Sequence, residues 1–258
     1  MMRFLFAGSV LFSALLIAGF ILMPASWLDF ALQRASHGVV GLGNPTGRIW
    51  KGSGTVQAIL PGGQVHVLGR VRWDLALSEL FLARVHAKVY SDDSDRSRLE
   101  IRISRAGIEL ENVQFDFPAG LLGAFSPTLR EAALSGKITV RARAFGWSKD
   151  EMHGSAEATW GDASSGRVRI SPLGTYVIRL NGGVHGLDCA ISTLSSSALK
   201  LGGNCRWPKN EALQMQLTAE PVESQRQELT PLLRIFGREV RPGVYQLQGL
   251  TVAGVSFQ

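Results

Sequence analysis

The two cysteines, Cys189 and Cys205, are the residues whose type and spacing point most directly to a chemistry. They enclose 15 residues within one predicted β-hairpin, and closing a loop of that length with a disulfide contributes about 3 kcal/mol in the chain-entropy model. C-x-x-C spacing is absent and His185 is the only histidine nearby, which argues against zinc. The pair is therefore a disulfide candidate for an oxidising compartment such as the bacterial periplasm. Two separate buried thiols are the alternative.

The remaining reactive residue types form no recognisable catalytic or cofactor site. The five histidines are far apart, and H-E-x-x-H, G-x-S-x-G and P-loop motifs are absent. Gly41–Gly47 has the spacing G-x-G-x-x-x-G, no strand is predicted before it, and Pro45 interrupts any helix after it, which argues against a dinucleotide loop. Asp92, Asp93 and Asp95 lack the spacing of an EF-hand and indicate a solvated turn. We expect no enzymatic activity, no metal and no cofactor.

The elements that position these residues are predicted to be β-strands. Apolar and polar residues alternate with a period of two in the segments 64–75, 98–104, 137–144 and 213–218. Such one-sided alternation is typical of antiparallel sheets with one face in water. In the first segment Leu68 breaks the pattern, and one face is expected to carry Val65, Val67, Gly69, Val71, Trp73 and Leu75.

Few and short helices are expected beside these strands. Thr230 is predicted to cap a helix whose first residue is Pro231 and which Gly237 ends. The segments 71–74 and 158–162 are weakly similar, which suggests two similar β-rich halves at 44–145 and 146–258.

An apolar run at the start of the chain predicts a membrane anchor. Phe4–Met23 is a run of 20 uncharged residues, about the length that a helix needs to cross ~30 Å of hydrocarbon. A cleaved signal peptide is the alternative, but its apolar core is normally only about 7–15 residues long. We therefore expect an anchor at 1–27 and a membrane-proximal linker at 28–43. The short N-terminus predicts a single pass, with the N-terminus in the cytoplasm and the main domain on the other side.

The charge of the chain does not favour nucleic acid as a partner. Lys and Arg number 27 against 21 Asp and Glu, a net charge of +6, but they are scattered without a run of five like charges. An anionic lipid surface or an acidic protein surface is compatible with this balance.

Short motifs along almost the whole chain, taken in their order and spacing, point to one family. They are Gly47-Arg48-Ile49-Trp50-Lys51-Gly52, Val71-Arg72-Trp73, Phe117-Pro118-Ala119, Leu121-Leu122, Trp160, Leu173-Gly174-Thr175-Tyr176, Leu232-Leu233, Gly237, Pro242-Gly243-Val244-Tyr245 and Gly249. In this order they resemble the type II secretion system protein N family.

The resemblance implies a function but transfers no functional residue, because the shared positions look structural. It implies a non-enzymatic accessory component of the secretion machinery, held in the inner membrane and facing the periplasm. For its action we expect docking to other type II secretion subunits. Exposed strand edges would serve such docking. The alternative is a β-groove protein that binds or carries lipid along an open apolar sheet face.

Overall fold

The computed structural model describes residues 19–59, 63, 65–80, 82–92, 97–124, 127–148, 151–194, 197–208 and 214–247. This part of the chain is mainly β, as the alternating pattern predicts, and neighbouring strands pair antiparallel. The strands are β1 (Val40–Gly47), β2 (Lys51–Ile59), β3 (Val65–Leu75), β4 (Val85–Ser91), β5 (Ser97–Ile103), β6 (Gly107–Pro118), β7 (Leu134–Ser148), β8 (Met152–Ser165), β9 (Gly174–Gly183), β10 (Gly186–Thr193), β11 (Leu199–Pro208), β12 (Gln214–Pro221), β13 (Gly237–Arg241) and β14 (Val244–Leu247).

Few helices accompany the strands of the described residues, in agreement with the sequence. They are α1 (Ser26–Ala35), α2 (Leu77–Leu80), α3 (Pro127–Glu131), α4 (Arg226–Phe236) and the 3₁₀ segments Ala119–Ala124 and Glu223–Gln225. In the described part of the chain, none of these helices has both the length and the apolar composition needed to cross a bilayer. The predicted anchor Phe4–Met23 lies mostly outside the described residues and stays a prediction.

The chain forms two compact units. The first comprises residues 1–59 and 65–97, and the second comprises residues 60–64 and 98–258. The predicted linker at 28–43 and the predicted halves at 44–145 and 146–258 rest on sequence patterns and stay predictions.

The first unit is a meander in which β1, β2, β3 and β4 pair in chain order. Its core lies between the sheet and α1, where Ala25, Leu42 and Trp73 are buried with Leu28 and Leu32 packed against them. Trp73 also donates a hydrogen bond from its indole Nε1 to the Ile49 carbonyl, 3.0 Å away. This core fixes the position of α1 along the outer strand β1.

One expectation for the first unit is wrong, namely that Val65 to Leu75 present a single apolar face. Gly69 pairs with Val56 and Val67 pairs with Gln57, so Leu68 is an extra residue in β3. Because a bulge of one residue reverses the alternation, Val67 shares the face of Gln57 while Gly69 shares that of Val56. Val65 and Val67 are accordingly exposed, whereas Trp73 is buried.

In the second unit, β5 to β12 pair in chain order and are followed in the sheet by β14 and then β13. Helix α4 packs on β12 and β13, and its Leu229, Leu232 and Leu233 form the main core with Leu173, Leu199, Ala219 and Tyr245. The 3₁₀ segment Ala119–Ala124 packs on β7.

The predicted start of α4 is wrong. The helix begins at Arg226 and Pro231 lies inside it, so Thr230 is a helical residue whose hydroxyl donates 2.8 Å to the Arg226 carbonyl. Pro231 is exposed, and its ring is accommodated on the outer side of the helix. The predicted end is confirmed, because Gly237 follows the last helical residue.

Candidate interaction surfaces

The sheet of the second unit presents one apolar face across many strands. Residues directly opposite each other in neighbouring strands share a face, and the register aligns two apolar rows. The first row is Phe115, Val140, Ala158, Ile178 and Ile191, and the second is Val113, Ala142, Ala156, Leu180 and Cys189. The apolar face is defined here by these ten residues.

The apolar face is covered unevenly. Val113 and Ala142 are buried, but Phe115 is 41% exposed, and Val140, Ile178, Leu180 and Ile191 are only half-buried. Helix α4 packs further along the sheet, on β12 and β13. Partly exposed apolar side chains are therefore aligned across five strands, from β6 to β10.

The opposite face of the same sheet is polar and carries cross-strand ion pairs. Arg179 lies 3.2 Å from Glu157, Arg206 lies 2.7 Å from Asp188, and Lys137 lies 3.0 Å from Asp116. These pairs are exposed, so each contributes little to stability. Their main effect is to keep this face in water and to distinguish it from the apolar face.

Two titrating groups of the second unit, Asp116 and Tyr176, have pKa values shifted in opposite directions. On the polar face, the hydroxyl of Thr139 donates 2.7 Å to Asp116, and this hydrogen bond together with Lys137 lowers the pKa of the carboxyl below its usual value of 3.8. Tyr176 is buried, which raises the pKa of its phenol. That phenol donates to the Leu199 carbonyl at 2.8 Å.

Cys189 and Cys205, the disulfide candidates, lie directly opposite each other in β10 and β11. Their Cα atoms are 4.9 Å apart and their sulfur atoms are in contact. That Cα separation is within the range of disulfides, and Leu180 and Cys189 are partners in the register, which puts the pair on the apolar face.

The edge strands β1 and β13 differ in how their backbone groups are satisfied. At β1, Asp29 accepts the Leu42 amide at 2.7 Å and Ser36 Oγ accepts the Val40 amide at 2.9 Å. Side chains from α1 and its C-cap therefore cap this edge against another strand. At β13, pairing with β14 occupies one side, and no other described strand pairs with it.

No cluster of three or more His, Cys, Asp or Glu side chains that could hold a metal ion occurs within the described ranges.

A comparison with protein-family models identifies the family. The model of type II secretion system (T2SS), protein N, matches residues 39–248, which covers most of the chain and parts of both compact units. The chain belongs to the type II secretion system protein N family. No curated protein and no solved structure gives a significant match.

Membership of the protein N family makes the chain a component of the type II secretion system, in agreement with the resemblance seen in the sequence. Proteins of this family are accessory secretion components, and the family is not a known enzyme family. It also implies interaction with other type II secretion components.

The sequence predicts Cys189 and Cys205 in one hairpin, and the structure places them in adjacent strands. The sequence did not identify the capped edge of β1 or the edge strand β13. The capping residues Asp29 and Ser36 lie outside any recognisable motif, because their role depends on how α1 packs along β1. For β13, the short segment Gly237–Arg241 carries three charged residues, a composition common in edge strands.

Proposed function

We propose that this chain is a non-enzymatic accessory subunit of the type II secretion machinery, held in the inner membrane with its main domain in the periplasm, and that it acts by docking to other subunits. The observation that carries the proposal is the family match over residues 39–248. The apolar run Phe4–Met23 supports the membrane placement.

The edge of β13 is the surface best suited to docking. Arg238, Glu239, Val240 and Arg241 are exposed, and Val240 is 50% exposed. An edge strand offers main-chain donors and acceptors to an extended segment of a partner, and its side chains then select among partners. The two arginines favour a partner strand that carries acidic side chains.

Photo-crosslinking in cells tests the docking proposal. A benzophenone amino acid is placed at Val240, and in a matched control at Val184, which is also an exposed valine but lies in a turn. Adducts with secretion subunits at Val240 and none at Val184 are the expected result. Equal adducts at both positions, or none at either, would contradict docking through β13.

The apolar face supports a second candidate function, the binding or carriage of lipid. Partly exposed apolar side chains aligned over five strands could contact one acyl chain along its length. The same probe placed at Phe115, on the apolar face, and at its neighbour Gln114, on the polar face, distinguishes the two functions. Phospholipid adducts at Phe115 but not at Gln114 would favour lipid binding, and their absence at both would leave docking as the function.

A further inference from the structure

Helix α1 of the first unit has two apolar faces that point in opposite directions. Its inner face carries Leu28 and Leu32, which pack against Leu42 and Trp73 of the sheet. At 3.6 residues per turn, Trp27, Phe30 and Arg34 lie together on the outer face. The helix is therefore held on the sheet by its inner face, while Trp27 and Phe30 on the outer face stay exposed.

The outer face of α1 is aromatic where a solvated helix normally carries charge. Trp27 is 53% exposed and Phe30 is 61% exposed. Their rings touch edge to face with centroids 6.5 Å apart, so they form one patch. Phe and Trp beside a basic residue on one helix face are typical of helices that lie in the membrane interface.

The end of the predicted anchor is fastened to the same unit by three hydrogen bonds. The Trp50 indole donates 2.9 Å to the Phe20 carbonyl, the Ile49 amide donates 3.0 Å to the Met23 carbonyl, and the Ala25 amide donates 3.2 Å to the Gly47 carbonyl. The ring of Phe20 also lies against Trp50, with centroids 4.5 Å apart. The apolar run therefore reaches the folded unit without a free spacer, directly before α1.

Basic side chains accompany the patch. Arg34 is exposed in the last turn of α1, and Arg48 is exposed directly opposite Pro24, just after the apolar run. Cationic side chains next to interfacial aromatics are attracted to anionic phospholipid headgroups.

We propose that the outer face of α1, formed by Trp27, Phe30 and Arg34, lies in the headgroup region of an anionic bilayer and fixes the first unit against the membrane. Three observations identify a bilayer as the occupant: the apolar run ends beside the patch, the patch is aromatic, and the flanking charges are positive. The inference rests on the proposed membrane placement and adds to it a defined contact surface for the folded unit.

The test uses the full chain reconstituted in vesicles of phosphatidylethanolamine with a minority of phosphatidylglycerol. A benzophenone amino acid replaces Trp27 or Phe30. Val67 is the matched control, because it is 65% exposed but lies on the other face of the sheet. Val67 pairs with Gln57, whereas α1 packs on the face of the neighbouring Val56. A fourth probe at Leu15, within the apolar run, reports on the anchor itself. Adducts are identified by mass spectrometry after illumination.

We expect phospholipid adducts at Leu15, Trp27 and Phe30 and at least tenfold fewer at Val67. Adducts at Leu15 without adducts at Trp27 and Phe30 above the Val67 background would overturn the contact surface and leave the anchor intact. The absence of phospholipid adducts at Leu15 would overturn the membrane placement and, with it, the inference. Protein adducts at Trp27 or Phe30, to a second copy or to another protein, would also overturn it.

The role of Arg34 and Arg48 is measured separately, by the lipid composition of the adducts. With the probe at Phe30, we expect adducts to be enriched in phosphatidylglycerol over its share of the vesicle. In the variant R34Q/R48Q that enrichment is expected to disappear while the total adduct yield remains, since the aromatic patch is unchanged. Enrichment that persists in the variant would contradict the role of the two arginines.

Discussion

At the scale of single residues, a hydrogen bond matters more than charge for Asp116. The largest cause of its lowered pKa is the hydrogen bond from Thr139, followed on the stabilising side by the hydrogen bond and the charge of Lys137. A carboxyl whose pKa is lower in the folded state stabilises the fold above its unfolded pKa. It loses that contribution as the pH falls through its folded pKa.

Thr139→Val is therefore expected to destabilise the protein in a pH-dependent way. The side chain of Asp116 is 38% exposed, so we expect a loss of about 0.5 kcal/mol at neutral pH, below the usual contribution of a hydrogen bond to a charged group because solvent screens it. The loss should shrink below the usual carboxyl pKa of 3.8. Urea unfolding at neutral and acid pH measures it. Thr159→Val, directly opposite in β8, is the control, and a loss that does not vary with pH would contradict the prediction.

The cysteine pair gives a second prediction at this scale. Because Cys189 and Cys205 are direct partners in the register with a Cα separation of 4.9 Å, a disulfide can form between them without movement of the backbone. We expect reduction of the parent to lower its free energy of unfolding by about 3 kcal/mol. The double variant Cys189→Ser/Cys205→Ser should be insensitive to reductant. A parent that unfolds identically with and without reductant would show that the pair contributes no stabilising bridge.

At the scale of elements, α4 determines how the end of the second unit is closed. Leu229 is fully buried between the helix and the sheet. Leu229→Ala removes contacts that the surrounding core cannot fully replace, so we expect a loss of about 3 kcal/mol. Leu194→Ala, the same change at a residue that is 58% exposed, should cost less than about 0.5 kcal/mol. Comparable losses in denaturant melts of both variants would mean that α4 is not the core of this unit.

The strands themselves could be predicted from sequence because side-chain alternation is a local property. The segment 137–144 alternates throughout and the segment 64–75 alternates apart from Leu68, and strands β7 and β3 form there. The face of Val67 could not be predicted, because the extra residue Leu68 is defined by pairing with β2. The start of α4 was placed too late for a similar reason. Leu229 and Leu232 pack on a distant part of the sheet and extend the helix ahead of Pro231, against the local preference.

On the candidate surfaces too, features within one hairpin could be predicted from sequence, whereas features that depend on packing between distant segments could not. Cys189 and Cys205 were identifiable as a pair because a hairpin brings them together over a short loop. The capping of β1 by Asp29 and the exposure of Trp27 both depend on the packing of α1 against the sheet. The packing of α1 covers Leu28 and Leu32 and leaves Trp27 and Phe30 exposed, which the sequence pattern alone did not predict.

At the scale of the whole molecule, family membership makes the chain a secretion component but does not by itself fix its orientation in the envelope. The folded domain follows the apolar run Phe4–Met23, and long domains cross the membrane largely regardless of their charge. The facing cysteines Cys189 and Cys205 also suit an oxidising compartment. We therefore expect the domain to reach the periplasm. Alkaline phosphatase, which needs an oxidising compartment, should be active when fused after Gln258, and β-galactosidase fused there should be inactive. The matched control lacks Phe4–Met23 and should reverse both activities. Active β-galactosidase on the full chain would place the domain in the cytoplasm and would contradict the predicted orientation.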